Sequence, residues 1–431
     1  MTPSLRLLRQ RNFLPLFATQ FLNAFNDNLY KTAMVMLVTY RIFEDPAKEG
    51  VFNAAAGAIF ILPFFLFSAL AGQLADWRDK ARIIRLVKSA EIAIMVVGGI
   101  GLIIHSIPLM LAALFAMGVH SAFFGPIKYA ILPQHLEPEQ VLPGTGLVEA
   151  TTYLAILIGT IAGGALQGLV NDGVLPSWTM AAVVLVLAVI GRATASYVPP
   201  APSETPNQTI DLHVVRSSIR LVAATMHIPR LFLAIIAISF FWAMGTVLAA
   251  QFPPLVKNVL EADEGVATMM LATFSVGVAL GSVLINRLLK GKVSARFAPV
   301  SALVMGAFVV DLYWTVLHWV PRPGPELLTL GEFVVMGQAE RLLLDLFGVA
   351  IAGGMFVVPL YAFLTTTVPK SETARTVAAN NIVNSAAMVA SAGLLALLLH
   401  LGLSVATSLL MVAVGSLGAA YLAWRLHKAC D

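Results

Sequence analysis

Apolar runs of twenty or more residues recur along this chain, and no other feature limits its fold so severely. A helix needs roughly 20 apolar residues to cross the hydrocarbon core of a bilayer. Windows of that kind fall at about 13–38, 51–75, 83–105, 108–132, 143–171, 176–198, 230–256, 265–289, 296–319, 343–368, 375–400 and 402–426, twelve in all. Within hydrocarbon a backbone must satisfy its own hydrogen bonds, so runs of this length read as helices. Only 12% of the residues are charged, against about 25% in soluble domains. The expected fold class is an all-α membrane protein with twelve transmembrane helices. Arg6, Arg9 and Arg11 ahead of the first run imitate a signal peptide. That run is too long, contains an acidic residue and has no clear cleavage site, so it reads as a retained helix.

The segment from Pro199 to Pro229, with PPAPSETPNQT, is polar and rich in Pro and Ser. It reads as a linker at 199–229 between a six-helix half at 1–198 and another at 230–431. With the N-terminus placed inside, nineteen Lys and Arg fall on that side, including Arg78, Lys80, Arg82, Arg85 and Lys88, and five outside, including Arg41, Lys257 and Arg322. This bias predicts that both termini are cytoplasmic. The halves repeat weakly. GQLADWRDKAR at Gly72–Arg82 answers GSVLINRLLKGK at Gly281–Lys292, and FFGPIKYAILP at Phe123–Pro133 answers MFVVPLYAFLTTTVP at Met355–Pro369. Two six-helix halves related by parallel duplication are the architecture of major facilitator transporters.

Polar side chains inside the apolar runs narrow the function. NAFNDNLYK places Asn23, Asn26, Asp27, Asn28 and Lys31 within the first span. Ionisable groups at membrane depth are costly and mark functional sites. Asp27 and Lys31 are four residues apart and share a helix face. They are either a self-neutralising pair or part of a polar site extended by Asn23 and Asn26. Lys128, beside Tyr129 in the fourth span, suits an anionic ligand, or snorkels to the interface. Glu149 opens the fifth span and either pairs with Lys128 or sits at a cavity mouth. Asn380, Asn381 and Asn384 are the uncharged counterparts in the second half. His120 is the one histidine in mid-span and reads as a satisfied core residue. Gly72, Asp76, Arg78 and Lys80 read as a gate and topology element, with Asp76 suited to accept from a neighbouring helix N-terminus. Gly159, Gly163, Gly164 and Gly168, like Gly277 and Gly281, read as close helix-packing positions.

Enzymatic readings find little support. There is no Walker loop, no GxSxG and no nucleotide fingerprint, and no His is followed five residues later by Asp. The only cysteine, Cys430, excludes a disulfide framework. No histidine pair has metal-ligand spacing. Neither cofactor nor metal is expected, and nucleic acid is not an expected partner.

FNDNLYK, GQLAD, FFGPIKYAILPQHL, GLVEATTY and MFVVPLYA together resemble the bacterial lysophospholipid transporter family of the major facilitator superfamily. Gly125-Pro126-x-Lys128-Tyr129 with Asn26-Asp27-Asn28 is the narrower part of the likeness. The resemblance implies a flippase of the bacterial inner (cytoplasmic) membrane. It would carry lysophosphatidylethanolamine and lysophosphatidylglycerol from outer to inner leaflet by alternating access, for cytoplasmic reacylation. It implies as partners a lysophospholipid acyltransferase and an acyl-carrier-protein synthetase, fused to the transporter in some members. Asp27 would face the ethanolamine ammonium, Lys128 the phosphate, and Glu149 would complete the polar cavity. SFFWAMGTVLAAQF in the seventh span has no cation where some relatives carry one, leaving Gln251 as a neutral donor. The competing transport reading is a proton-coupled exporter of amphipathic drugs or small metabolites. ITIAGGALQG in the fifth span has the glycines of such exporters without their proline.

Overall fold

The computed structural model describes residues 6–42, 46–203, 210–320 and 327–430. Part of the expected linker (204–209) and the outside charge Arg322 lie outside the described residues. The first six long helices are α1 (Leu14–Leu37), α2 (Pro46–Trp77), α3 (Lys80–Ile103), α4 (Ile107–Ala130), α5 (Pro138–Asn171) and α6 (Thr179–Ser196). The other six are α7 (Pro229–Asn258), α8 (Glu264–Leu289), α9 (Ala298–Leu317), α10 (Gly337–Thr366), α11 (Thr373–His400) and α12 (Leu410–Cys430). Among the described residues the only bridge pairing is an isolated one, Ala262 with Leu328.

Among the described residues, eleven helices are long and apolar enough to cross a membrane. α1 is the expected span outside that set: at 24 residues it is long enough, but the polar side chains from Gln20 to Lys31 dilute its hydropathy. Local chemistry sets many of the ends. Asp79 caps α3 by accepting the Arg82 N–H at 3.0 Å, and Asp263 caps α8 by accepting from Val266 at 3.2 Å. Such caps satisfy N–H groups that have no partner within the helix. α8 stops where Lys290 and Gly291 take φ of 51° and 78°, a reversal that glycine accommodates without strain.

The described residues form two compact units. The first comprises Met1–Gly144, Leu154–Thr225 and Thr365–Ile382; the second comprises Thr145–Tyr153, Met226–Leu364 and Val383–Asp431. In the first unit α2 packs on α4, α4 on α3, and α6 on both α1 and α3. Leu29, Tyr30, Met34, Met95, Met117 and Val184 fill the space between them. The Tyr30 hydroxyl, buried in this core, donates to the Met110 carbonyl at 3.1 Å. α5 approaches α1 through glycines. A Cβ on Gly159 would stand 2.5 Å from the Phe25 carbonyl oxygen, and one on Gly163 would stand 2.6 Å from that of Leu29. The four-glycine stripe expected to pack is therefore two glycines. A Cβ at Gly164 would meet only Thr32, at 3.9 Å, and one at Gly168 would meet nothing within 4 Å among the described residues. Gly163→Leu is expected to force α5 off α1 at a cost of about 1–3 kcal/mol or more. Gly168→Leu should be nearly neutral, and thermal unfolding in detergent compares the two.

In the second unit α12 packs on α7 and α9. Gly277 lies against Ala350, and Gly281 against the backbone of Ile351 on α10, as expected for packing glycines. The polar link holds more structure than a plain linker. Ala201 accepts the Lys80 N–H at 3.0 Å. Ser203 Oγ donates to the Asp76 carbonyl at 2.6 Å, and the Asp211 N–H donates to Gln73 Oε1 at 2.9 Å. Pro200 O lies 3.3 Å from His135 Nε2, and burial lowers the pKa of that imidazole. A short helix, Val214–Met226, follows.

Candidate functional site

One face of α1 turns Asn23, Asn26 and Asp27 into the first unit, all buried. Asp27 Oδ2 accepts the Ser121 hydroxyl at 2.6 Å and the Asn23 amide at 3.2 Å. Asn23 Oδ1 in turn accepts from Lys88 Nζ at 3.4 Å. Lys88 pairs with Glu91 one turn along α3, and both side chains are fully buried. Glu91 also accepts the Asn26 amide at 2.9 Å and lies 3.5 Å from His120 Nε2. Three helices thus share one polar cluster running from Asp27 to Glu91. Glu91 is held by Lys88, Asn26 and His120. Asp27 is held on one oxygen only; its buried Oδ1 has no hydrogen-bond partner among the described residues. A buried carboxylate oxygen left open is costly unless something polar reaches it.

Lys31 does not neutralise Asp27. Among the described residues it forms no ion pair; its ammonium lies 5.8 Å from the centre of the Phe60 ring on α2. The four-residue spacing permitted a pair, but the Asp27 carboxylate turns to Ser121 on α4 instead. Asn28 bonds back to the Ala24 carbonyl at 2.8 Å and faces Gly159. Lys128 is half-buried, with its ammonium 4.9 Å from the ring centre of Tyr129, itself buried. Lys128 and Ser121 are seven residues apart on α4, which is two turns along one face, roughly 10 Å. The Asn381 amide sits against the same helix, where a Cβ on Gly125 would lie 3.1 Å from it.

Glu149 is fully buried and belongs to the second unit. One turn after it, Tyr153 stacks on Trp242 at 6.3 Å and meets Phe241 edge-on. Trp242 Nε1 donates to the Tyr361 hydroxyl at 2.7 Å, which also accepts the Asn384 amide at 3.3 Å. Ser239 Oγ donates to Asn384 Oδ1 at 2.7 Å. Asn384 thus serves an internal network. Gln251 donates to Ser408, so its amide is engaged within the unit rather than held as a spare donor.

The end of α2 meets the start of α11. A Cβ on Gly72 would stand 2.7 Å from the Ala378 Cβ. The buried Asp76 accepts from Arg375 Nε at 2.7 Å and from the Ala374 backbone. This is the acceptor geometry expected of Asp76, and it recruits an arginine as well. Arg78 is exposed and stacks on Trp77, 3.7 Å from the ring centre. Lys80 is buried at the start of α3.

Lys88 and Glu91 were not expected in the cluster. Lys88 counts among the cytoplasmic-side charges in the sequence, near the start of the third span, yet it is fully buried within α3. The available signal was Glu91, a carboxylate in an apolar run three residues after a lysine, a spacing that lets the two pair. Nothing local marks Ser121 as the partner of Asp27.

Residues 16–392 match the Major Facilitator Superfamily. The lysophospholipid transporter LplT of Citrobacter koseri is 26% identical over 401 residues, covering 92% of this chain and 90% of that protein. The protein of the same name from Escherichia coli O1:K1 / APEC is 26% identical over 392 residues, covering 90% and 88%. Among solved structures, the human organic anion transporter MFSD10 superposes with a TM-score of 0.77 at 14% identity, covering 96% of this chain and 99% of that one. The E. coli fucose:proton symporter FucP gives 0.72 at 12% identity, covering 96% and 98%. At those identities the structures speak for the fold alone. The match over most of its length, on a helical fold shared with these transporters, means that this chain belongs to the major facilitator superfamily.

Proposed function

We propose that this protein transports lysophospholipids, moving lysophosphatidylethanolamine and lysophosphatidylglycerol from the outer to the inner leaflet of the bacterial inner membrane by alternating access. Both termini lie in the cytoplasm in this reading, and a cytoplasmic acyltransferase with an acyl-carrier-protein synthetase consumes the product. The observation that carries it is the open Oδ1 of buried Asp27. An ethanolamine ammonium satisfies such an oxygen, whereas a simple ion-paired helix would have used Lys31. Lys128, half-buried on the Ser121 face of α4, provides the cation for the phosphate. Tyr129, beside Lys128 on α4, extends the polar surface, and apolar helix walls accommodate the single acyl chain. The named relatives at 26% identity over most of both chains support the same substrate class. Gly72, Asp76, Arg78 and Lys80 act as the gate, with the Asp76–Arg375 pair as the contact that must open.

A lysolipid consumed by reacylation moves down its own gradient, so transport needs no ion. Purified protein in vesicles is expected to move fluorescent lysophosphatidylethanolamine across the bilayer at an undiminished rate after the proton gradient is collapsed. Uptake that stops with the gradient would favour the proton-coupled exporter, and absence of lysolipid movement in any condition would overturn the substrate assignment.

A further inference from the structure

The short helix Val214–Met226 leaves one apolar edge uncovered. Its buried side chains are polar: Ser217, Ser218 and Thr225. Val214, Leu221, Val222 and Met226 are half-buried, but Val215 is 58% and Ile219 65% exposed, and Leu212 just ahead of the helix is 74% exposed. Positions 212, 215 and 219 follow the three- and four-residue spacing of a single helical face. Arg216 and Arg220 flank that face and are also exposed. Arg216 has no ion pair among the described residues, and Arg220 reaches only Asp211, at 3.5 Å. An open groove of about 610 Å³ runs along this surface, lined by His213, Val214, Val215, Arg216, Ile219 and Arg220.

Thirteen residues are too few to cross a bilayer,. An apolar face bordered by arginines is instead the pattern of a helix lying in the membrane interface. Water would leave Leu212, Val215 and Ile219 unburied, and an apolar protein partner would leave two guanidinium groups desolvated. A leaflet containing anionic phospholipid satisfies both, taking the apolar side chains at the acyl boundary and the arginines at the phosphates. The segment is also held in place: the Asp211 N–H is bonded to Gln73 near the end of α2, and the Ser217–Ser218 side of the helix is buried.

We propose that Val214–Met226 is an interfacial helix that binds anionic phospholipid of the adjoining leaflet, with Arg216 and Arg220 on the headgroups and Leu212, Val215 and Ile219 at the acyl boundary. The link between the two sequence halves is thereby tied to the membrane surface, independently of the transported substrate.

The test uses the full chain carrying Cys430→Ser and Ile219→Cys, a nitroxide at 219, and phosphatidylcholine vesicles with or without phosphatidylglycerol. With phosphatidylglycerol present the label is expected to collide with oxygen more than with a water-soluble nickel chelate. Preferred collision with the chelate would overturn the proposal. So would protection from both reagents, which would mean that protein covers this face. In native mass spectrometry, Arg216→Gln with Arg220→Gln should weaken phosphatidylglycerol retention by roughly fivefold for each arginine. Unchanged retention would remove the headgroup assignment.

Discussion

Glu91→Gln is expected to destabilise the protein by about 3–5 kcal/mol, because it leaves the ammonium of Lys88 buried without its counter-charge. Both side chains are fully buried, so the stranded charge has no route to water. Asn26 loses a charged acceptor in the same change, and His120 a charged neighbour at 3.5 Å. The measurement is the thermal unfolding midpoint of the purified protein in detergent, together with folded yield. Replacing the pair as a whole, Lys88→Met with Glu91→Leu, should restore most of the loss, since apolar side chains of similar size can stand in for a buried ion pair. A Glu91→Gln protein as stable as the wild type would show that the cluster is not held by this pair.

Asp27→Asn has the opposite profile: a large functional loss on an intact fold. Asparagine at position 27 keeps an oxygen for Ser121 and Asn23, so the links of α1 to α4 persist. It removes the negative charge from the open oxygen. Truncating one side of a desolvated charge pair costs about 2–5 kcal/mol, and each 1.4 kcal/mol is tenfold. Lysolipid uptake into vesicles should therefore fall by more than about tenfold with the unfolding midpoint unchanged. Lys128→Ala should cause a comparably severe loss through the phosphate. If both variants transport normally, the headgroup does not bind here, whatever the substrate. If Asp27→Asn unfolds like Glu91→Gln, Asp27 is a structural member of the cluster.

The two variants separate residues that look alike in the sequence. Lys88 and Lys31 are both lysines close to a carboxylate at helical spacing. Lys88 pairs with Glu91 and disappears from solvent, whereas Lys31 turns to Phe60 and leaves Asp27 to Ser121. Spacing states which pairs are geometrically permitted. The neighbouring helix decides which one forms, and α4 offers Ser121 on the Asp27 side. The glycines behave the same way. Gly159 and Gly163 are contact points because α1 backbone oxygens lie over them, while a Cβ at Gly168 in the same stripe would meet nothing within 4 Å among the described residues.

What the chain determined by itself is whatever depends on neighbours in sequence. Apolar runs set the number and position of the long helices, since insertion into hydrocarbon is summed over about 20 consecutive residues. The same local cost singled out Asn23–Lys31, Lys128 and Glu149 as polar exceptions, and placed Asp76 where it could accept from another helix. Tertiary structure alone decided how each helix is rotated about its axis. That rotation buried Lys88 instead of leaving it at the cytoplasmic surface, joined Asp27 to Ser121 ninety-four positions away, brought Arg375 to Asp76 and turned Val215 and Ile219 outward. Rotation and partner choice are settled by packing against many residues distant in sequence, and no local pattern encodes that sum.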